Sequence, residues 1–233
     1  MIQVTVIMSV YNGQKYLESA IKSILGQKEV NLEFLIMDDG STDNSGLILQ
    51  KFANLDKRVK IYYQKNRGLH VALNYLISKS KGTYIARMDA DDISLPLRLQ
   101  RQLNFFSKNP KVGLVNSWIL NFNNHKNDII VSNRYPNDDR WIKNNLYNGI
   151  NPFKHGSIMI KKELLSQFKR PYRFRGVQDY DLWLRLSKKT KFGIVQNYCY
   201  LSRSHSDMVT LQNREHRARL QNYILNINNG REN

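Results

Sequence analysis

Residues 83–92 read Thr-Tyr-Ile-Ala-Arg-Met-Asp-Ala-Asp-Asp, and this stretch decides how the chain is interpreted. The run 83–88 has the length and composition of a buried strand, and Asp89, Asp91 and Asp92 follow at its end. Three carboxylates within four residues repel one another, and a packed core would not offset that repulsion. A hard divalent cation would, because Mg²⁺ and Mn²⁺ prefer oxygen ligands. The alternative interpretation is a solvated acidic turn that caps the next helix.

Two more polar turns follow apolar runs closer to the amino terminus. The turn 9–13 (Ser-Val-Tyr-Asn-Gly) follows the run 2–8, and the turn 38–43 (Asp-Asp-Gly-Ser-Thr-Asp) follows the run 32–37. In an open, mostly parallel sheet, ligands bind in the crevice outside the carboxyl ends of the strands. The three turns therefore predict one such crevice.

Strand and helix patterns alternate through the first hundred residues, which predicts an α/β fold: a mostly parallel twisted sheet with helices on both sides. The apolar periodicity predicts strands at 2–9, 32–37, 58–63 and 83–88 and helices at 14–27, 44–54 and 69–80. The second half is less regular. It predicts helices near 95–108, 138–148 and 178–189, strands at 112–122, 156–160 and 192–200, and a loop at 123–139. No linker or repeat interrupts the chain, so we expect one domain over 1–233 with halves at 1–110 and 111–233.

Composition narrows the class of protein. The chain has 233 residues, of which 41% are hydrophobic, enough for one sizeable core. The single cysteine, Cys199, excludes an internal disulfide framework and a multi-thiolate metal site and fits a reducing compartment. The amino terminus lacks the pattern of a secretion signal, and no apolar run reaches the length of a membrane span. These features predict a cytoplasmic protein.

The formal net charge of +17 is unevenly distributed. Residues 1–139 hold 18 basic and 13 acidic residues, a net of +5, whereas residues 140–233 hold 18 and 6, a net of +12. Basic surfaces attract nucleic acid, anionic membranes or phosphorylated ligands, and a compositional bias toward Lys, Asn and Ile also explains part of the excess.

The last twenty residues have the pattern of a basic amphipathic helix. Its apolar positions either lie on an anionic membrane or pack on the core or a second subunit, which leaves a homodimer open. The positions concerned are Arg214, Arg217, Arg219, Leu220, Tyr223, Ile224 and Ile227.

Two residues outside the acidic turns are candidates for chemistry. Asp179 lies at the predicted start of a helix, where it is either a cap or a general base at the rim of the crevice. His205 follows a strand in a polar loop and is either exposed or an additional metal ligand. No glycine-rich phosphate loop is present, which disfavours P-loop hydrolases and dehydrogenases.

Taken in order, these residues resemble a family 2 glycosyltransferase of the GT-A fold. The resemblance runs through 9–12, 38–43, 66–69 with Ala72 and Asn74, 89–92, 155–157, 178–183 and 203–205. It implies transfer of a sugar from a nucleotide-sugar, commonly a UDP-sugar, to an acceptor hydroxyl, with inversion and with Mn²⁺ or Mg²⁺. It also implies that 1–110 binds the nucleotide-sugar and that 111–233 binds the acceptor.

The same resemblance implies roles for individual residues. Asp179 is implied as the catalytic base and Asp91 as the main metal ligand, with Asp89 and His205 contributing. The implied nucleotide and donor contacts are Val10, Tyr11, Asn12, Asp39, Arg67, Asp89 and Asp92. Gln178 replaces the Glu usual before the base, and Leu73 stands where an Arg often precedes Asn74.

Partners follow from the resemblance as well. We expect a glycan or lipid-linked oligosaccharide acceptor in cell-surface polysaccharide synthesis, and peripheral contact with the inner face of the plasma membrane. We expect no nucleic acid partner, because acidic turns repel phosphate unless they hold metal. Two rival classes remain: a sugar-phosphate nucleotidyltransferase, which would release pyrophosphate, and a basic nucleic-acid-binding protein.

Overall fold

The computed structural model describes residues 1–123, 128–205 and 214–228. Its described strands are β1 (Val4–Val10), β2 (Leu32–Asp38), β3 (Val59–Tyr63), β4 (Tyr84–Asp89), β5 (Ile93–Ser94), β6 (Val112–Asn123), β7 (Asp128–Asn133), β8 (Met159–Lys161) and β9 (Lys191–Ser204). Its described helices are α1 (Gln14–Leu25), α2 (Ser45–Leu55), α3 (Leu69–Lys79), α4 (Arg98–Lys108), α5 (Asp139–Tyr147), α6 (Lys162–Leu165), α7 (Gln178–Ser187) and α8 (Arg214–Asn228). A 3₁₀ turn spans His155–Ser157.

One sheet runs through the described chain in the order β3-β2-β1-β4-β8-β6-β9-β5, with β7 paired to β6. The neighbours β3, β2, β1 and β4 are parallel, as the alternating pattern predicts. β8 is antiparallel to both β4 and β6, so β6 and its parallel neighbour β9 run in the direction of β4. The carboxyl ends of β1, β2, β4 and β9 therefore lie at the same edge of the sheet.

Both faces of the sheet are buried, which explains the nearly continuous apolar runs of its first strands. On one face, alternate residues of β1 such as Val6 and Met8 pack with α1, α2 and α4. On the other, Ile7 of β1 packs with α3, α5 and α7. The helices are thus on both sides of the sheet, and the predicted α/β class is confirmed.

Two local predictions were wrong. The stretch 123–139, predicted as a loop from its Asn and Asp content, contains β7, because the edge of β6 supplies hydrogen-bonding partners for an Ile-Ile-Val run. The helix predicted from residue 95 begins only at Arg98. Before it, Ser94 pairs with β9, and Leu97 has a left-handed backbone with φ of 63°.

The predicted carboxyl-terminal helix is present as α8, and its apolar side is used inside the protein. Ile224 is fully buried in the core cluster that includes α7, and Leu220 and Leu225 pack against the same cluster. Ile224 is therefore not available for insertion into a lipid surface, whereas Tyr223 is 49% exposed. No helix within the described ranges has the length and hydropathy needed to cross a bilayer. The side chain of Arg214 and residues 229–233 lie outside the described part.

Candidate active site

The first two polar turns are joined by hydrogen bonds at the edge of the sheet. Asn12 has a φ of 50°, a conformation that Asn tolerates, and its Oδ1 accepts from the Thr42 N–H at 2.8 Å. The Asn12 N–H donates to Ser41 Oγ at 3.0 Å. Val10 is buried at the end of β1, and the Tyr11 ring after it is 52% exposed. The turns thus present one exposed aromatic ring to the crevice.

Asp39 is 3% exposed and organises the loop after β3. Its Oδ1 accepts from Gln64 Nε2 at 2.6 Å and from the Arg67 N–H at 2.9 Å, and its Oδ2 accepts from the Gly68 N–H at 2.9 Å. A carboxylate has about four acceptor positions, so Asp39 retains capacity for one further donor. The Arg67 side chain is exposed.

Asp89 ends β4 as one member of a buried network. Arg87 Nη2 donates to Asp89 Oδ1 at 2.6 Å, and the Asp89 N–H donates to the Tyr200 hydroxyl at 3.2 Å. Burial acts to raise the pKa of Asp89, but the positive charges of Arg87 and Lys154 outweigh it and hold that pKa below its ordinary value. Asp89 is therefore a carboxylate at neutral pH.

Gly156 allows the turn before β8 to lie directly against Asp89 and Tyr200. A Cβ built on Gly156 would fall 2.5 Å from Asp89 Oδ2 and would overlap the Tyr200 hydroxyl as well. The position therefore leaves no room for a side chain. This explains in physical terms why a glycine follows His155 in the turn before β8.

Asp91 and His205 lie together although 114 residues separate them in sequence. His205 Nε2 is 2.9 Å from Asp91 Oδ2, and the two side chains are 15% and 35% exposed. The carboxyl end of β9, one residue before His205, brings the imidazole to the acidic turn. The structure therefore brings together two of the residues that the resemblance implies as metal ligands.

The pair fits a divalent ion. Two adjacent ligands of an octahedral ion bound at about 2.1 Å lie about 3 Å apart, close to the separation observed for Asp91 and His205. Within the described residues, no three His, Cys, Asp or Glu side chains gather closely enough to form a complete site. Phosphate oxygens and water would have to supply the remaining ligands, as is usual for Mg²⁺. Asp89, the other predicted ligand, is instead paired with Arg87.

Asp92 lies beneath the turn and is 1% exposed. Its Oδ1 accepts from the Arg203 N–H at 2.7 Å, and its Oδ2 is 3.3 Å from Lys154 Nζ. Burial raises the pKa of Asp92 to about 6, against the opposing charge of Lys154. Asp92 therefore has a structural role, because it fixes β9 against the turn. Its buried position leaves little surface for the donor-sugar contact predicted from the sequence.

Asp179 is the second residue of α7, and its side chain is not used as a helix cap among the described contacts. Its Oδ2 accepts from Asn151 Nδ2 at 3.1 Å, and the residue is partly exposed. The helix is capped at Val177, which has no polar side-chain atom. The carboxylate is thus held by a neighbouring loop and is not consumed as a helix cap among the described contacts.

The charges of Asp179 and Asp89 both act on His155. Burial lowers the pKa of His155 to about 4, with Arg87 acting in the same direction and with Asp179 and Asp89 both opposing. Its Nε2 is 3.0 Å from the Tyr172 hydroxyl. The residue also has direct contacts on both sides, because the adjacent Gly156 adjoins Asp89 and the imidazole lies 5.9 Å from the Trp183 ring of α7. His155 therefore links the acidic turn to the helix that carries Asp179.

Four residues of this network had not been recognised from the sequence as parts of the site: Arg87, Lys154, Tyr200 and Asn151. Arg87 carried a usable signal, because a charged residue inside an apolar strand must have a buried partner. Lys154 and Asn151 precede the 3₁₀ turn without any periodic or motif context, and nothing local distinguishes them.

Comparison with known proteins agrees with this geometry. Residues 5–169 match Glycosyl transferase family 2. The O-antigen biosynthesis glycosyltransferase WbnJ of Escherichia coli is 36% identical over 188 residues, which cover 78% of this chain and 71% of that protein.

Two solved structures show the same fold. S. aureus TarS 1–349 in complex with UDP has a TM-score of 0.73 and 14% identity. The mannosyltransferase PcManGT from Pyrobaculum calidifontis, in complex with GDP-Man and Mn²⁺, has a TM-score of 0.71 and 17% identity. They cover 97% and 99% of this chain, which itself spans 65% of each solved chain. The fold is therefore GT-A, and the protein belongs to glycosyl transferase family 2.

Proposed function

We propose that this protein is an inverting, metal-dependent glycosyltransferase that moves a sugar from a nucleotide-sugar to an acceptor hydroxyl. The observation that carries the proposal is the convergence of two groups at one edge of the sheet. The Asp91–His205 pair offers a carboxylate and an imidazole to a cation, and Asp179 offers a carboxylate that is free of capping. His155 connects the two groups, because its neighbour Gly156 adjoins Asp89 and its ring lies 5.9 Å from that of Trp183 on α7.

The acceptor hydroxyl loses its proton to Asp179. Its oxygen forms the new bond to the anomeric carbon while the bond to the leaving phosphate breaks on the opposite side, which inverts the configuration. No covalent enzyme intermediate is formed, so no Ser, Cys or Lys nucleophile is required. A divalent ion bound at Asp91 and His205 would neutralise charge on the leaving nucleoside diphosphate.

The donor lies across the carboxyl ends of β2, β1 and β4 in this proposal. The exposed Tyr11 ring stacks on the base, the remaining acceptor position of Asp39 takes a base N–H, and Asp89 faces the ribose. UDP is the proposed nucleotide and Mn²⁺ or Mg²⁺ the proposed ion. The UDP complex of TarS and the Mn²⁺ complex of PcManGT, both of the same fold, support these choices.

The proposed biological setting is cell-surface polysaccharide synthesis, with a glycan or lipid-linked oligosaccharide as acceptor. The name of WbnJ, which refers to O-antigen biosynthesis, supports this setting. Contact with an anionic membrane surface, if the acceptor is lipid-borne, would be made through basic side chains, since Ile224 is already packed in the core.

A screen of nucleotide-sugar hydrolysis with Mn²⁺, Mg²⁺ or chelator tests the proposal. Asp91→Asn should lower turnover at least about a hundredfold, or about 2.7 kcal/mol of transition-state stabilisation, because the amide no longer carries the charge that holds the ion. Glu163→Gln, an exposed acid on α6, is the matched control. Full activity in chelator would refute the metal assignment. Conversion of the nucleotide-sugar to a nucleoside triphosphate and a sugar 1-phosphate when pyrophosphate is added, without release of nucleoside diphosphate, would indicate a nucleotidyltransferase.

A further inference from the structure

The segment 169–177, called here the arginine loop, leads directly into α7 and carries Lys169, Arg170, Arg173 and Arg175. Two hydrogen bonds fix it to α3: Asn74 Nδ2 donates to the Tyr172 carbonyl at 2.7 Å, and the Tyr172 N–H donates to Asn74 Oδ1 at 3.0 Å. The Tyr172 hydroxyl in turn meets His155. The loop is thus attached to the active site at its centre.

Among the described contacts, Arg173 is the one arginine of the loop that pairs with a carboxylate. Asp181 is fully buried and receives Arg173 Nε at 3.0 Å and Arg185 Nη2 at 2.7 Å, so its charge is satisfied within α7 and the loop. Arg170 and Arg175 are exposed, and neither forms an ion pair within the described ranges.

These two cations lie close to one further titratable side chain, His70. A Cβ built on Gly68 would be 3.5 Å from His70 Nδ1 and 3.7 Å from Arg175 Nε, so all three residues meet at the start of α3. Burial lowers the pKa of His70, and Arg170 and Arg175 lower it further. Asp39, which accepts from the Gly68 N–H, opposes this shift, but the pKa of His70 is still lowered, so the imidazole is neutral at pH 7. Two guanidinium charges therefore face one buried carboxylate, which leaves a net positive charge.

The position of this excess separates it from the donor's phosphates. Gly68 follows β3, whereas Asp91 follows β4, and β2 and β1 lie between. Three strand spacings amount to roughly 14 Å. In the proposed donor position the base lies near Asp39, beside Gly68, and the diphosphate lies near Asp91. The arginines are thus nearer the uncharged end of the nucleotide than its phosphates.

We propose that Arg170 and Arg175 form an anion subsite that binds a phosphate or diphosphate group of the acceptor. This inference rests on the proposed function, since it presupposes a second substrate beside the donor. Two guanidinium groups that form no ion pair within the described part of the chain match a group with two or more negative charges, because each guanidinium binds phosphate oxygens through paired N–H donors. In this arrangement Asp179, which follows Arg175 by four residues, faces the acceptor hydroxyl.

Titration of the full chain with inorganic pyrophosphate in chelator tests the subsite. Arg170→Gln/Arg175→Gln should weaken pyrophosphate binding at least tenfold. The matched control Lys57→Gln/Arg140→Gln removes the same charge from exposed positions of the loop before β3 and of α5, and should leave binding within twofold of wild type. UDP binding with Mn²⁺ should be unchanged in both variants, and saturating UDP should not displace pyrophosphate.

Three outcomes overturn the inference: equal loss of pyrophosphate binding in the control, no loss in the arginine variant, or displacement of pyrophosphate by UDP. The last would assign the arginines to the donor's diphosphate. Farnesyl diphosphate distinguishes a lipid-linked acceptor from a soluble one. If the acceptor is lipid-linked, farnesyl diphosphate should bind more tightly than pyrophosphate. If the acceptor is soluble, the two should bind equally. The proposed function itself fails on a different readout, the absence of nucleotide-sugar turnover by the wild-type protein.

Discussion

Gly156→Ala tests the packing around Asp89 most directly. The added methyl group would lie 2.5 Å from Asp89 Oδ2, whereas ordinary contacts begin at 3.4 Å, so the carboxylate or the turn must move by about 0.9 Å. The Tyr200 ring is fully buried and offers little room on the other side. Overpacking of this kind costs about 1–3 kcal/mol of folding free energy. For a chain of this length each 1 kcal/mol lowers Tm by about 2–4 °C.

The same displacement should reduce activity. A misplacement of about 1 Å at a positioned group costs about a hundredfold in rate, so we expect kcat/KM for the nucleotide-sugar to fall by that factor. Differential scanning calorimetry and steady-state kinetics measure the two effects on one preparation. Gly46→Ala is the control, because its nearest atom, Asp38 Oδ2, is 3.6 Å from the added Cβ. A folded Gly156→Ala enzyme with kcat/KM within threefold of wild type would refute the reasoning.

Three further predictions follow from other parts of the site and core. Asp179→Asn should keep its melting temperature and nucleotide affinity but lose sugar transfer by a factor of about 10² to 10⁴, and a stability loss with unchanged turnover would contradict its role as base. The folded-state pKa of His155 is about 4 against an ordinary 6.5, so its neutral form contributes stability above pH 6.5 that is lost as pH falls toward 4. The unfolding free energy of wild type relative to His155→Gln should therefore drop by up to about 3 kcal/mol between pH 7 and pH 4 in urea titrations, and a constant difference would argue against a neutral imidazole in the folded protein. Ile224→Ala should cost about 2–5 kcal/mol of stability without altering flotation with anionic vesicles, whereas lost flotation with normal stability would place Ile224 in a membrane contact.

Local sequence determined most of the first half of the fold. Apolar runs buried on both faces predicted β1, β2 and β4, and the 3.6-residue period predicted the helices between them. The acidic turns were predicted at strand ends because polar groups collect where a parallel strand leaves the core. Those predictions succeed because each depends on residues that are close in sequence, within a single helix, strand or turn.

The second half was harder because its order depends on pairing between distant segments. β7 forms only because β6 offers it an edge, and its surrounding Asn and Asp residues favour a loop when read alone. The direction of β8, antiparallel to β4 and β6, is not encoded in its three residues. Likewise the sequence of α8 permits a membrane or a protein partner, and only the position of Ile224 against α7 assigns it to the core.

The sequence by itself predicted which side chains carry chemistry, since its resemblance to family 2 glycosyltransferases implied Asp91 as a metal ligand and Asp179 as the base. Only the tertiary structure decided how they are held. The contact of Asp91 with His205, the ion pair of Asp92 with Lys154 and the bond of Asn151 to Asp179 join residues 28 to 114 positions apart. Such contacts arise when the sheet brings strand ends to one edge, and no periodicity within a single segment encodes which distant partner arrives there.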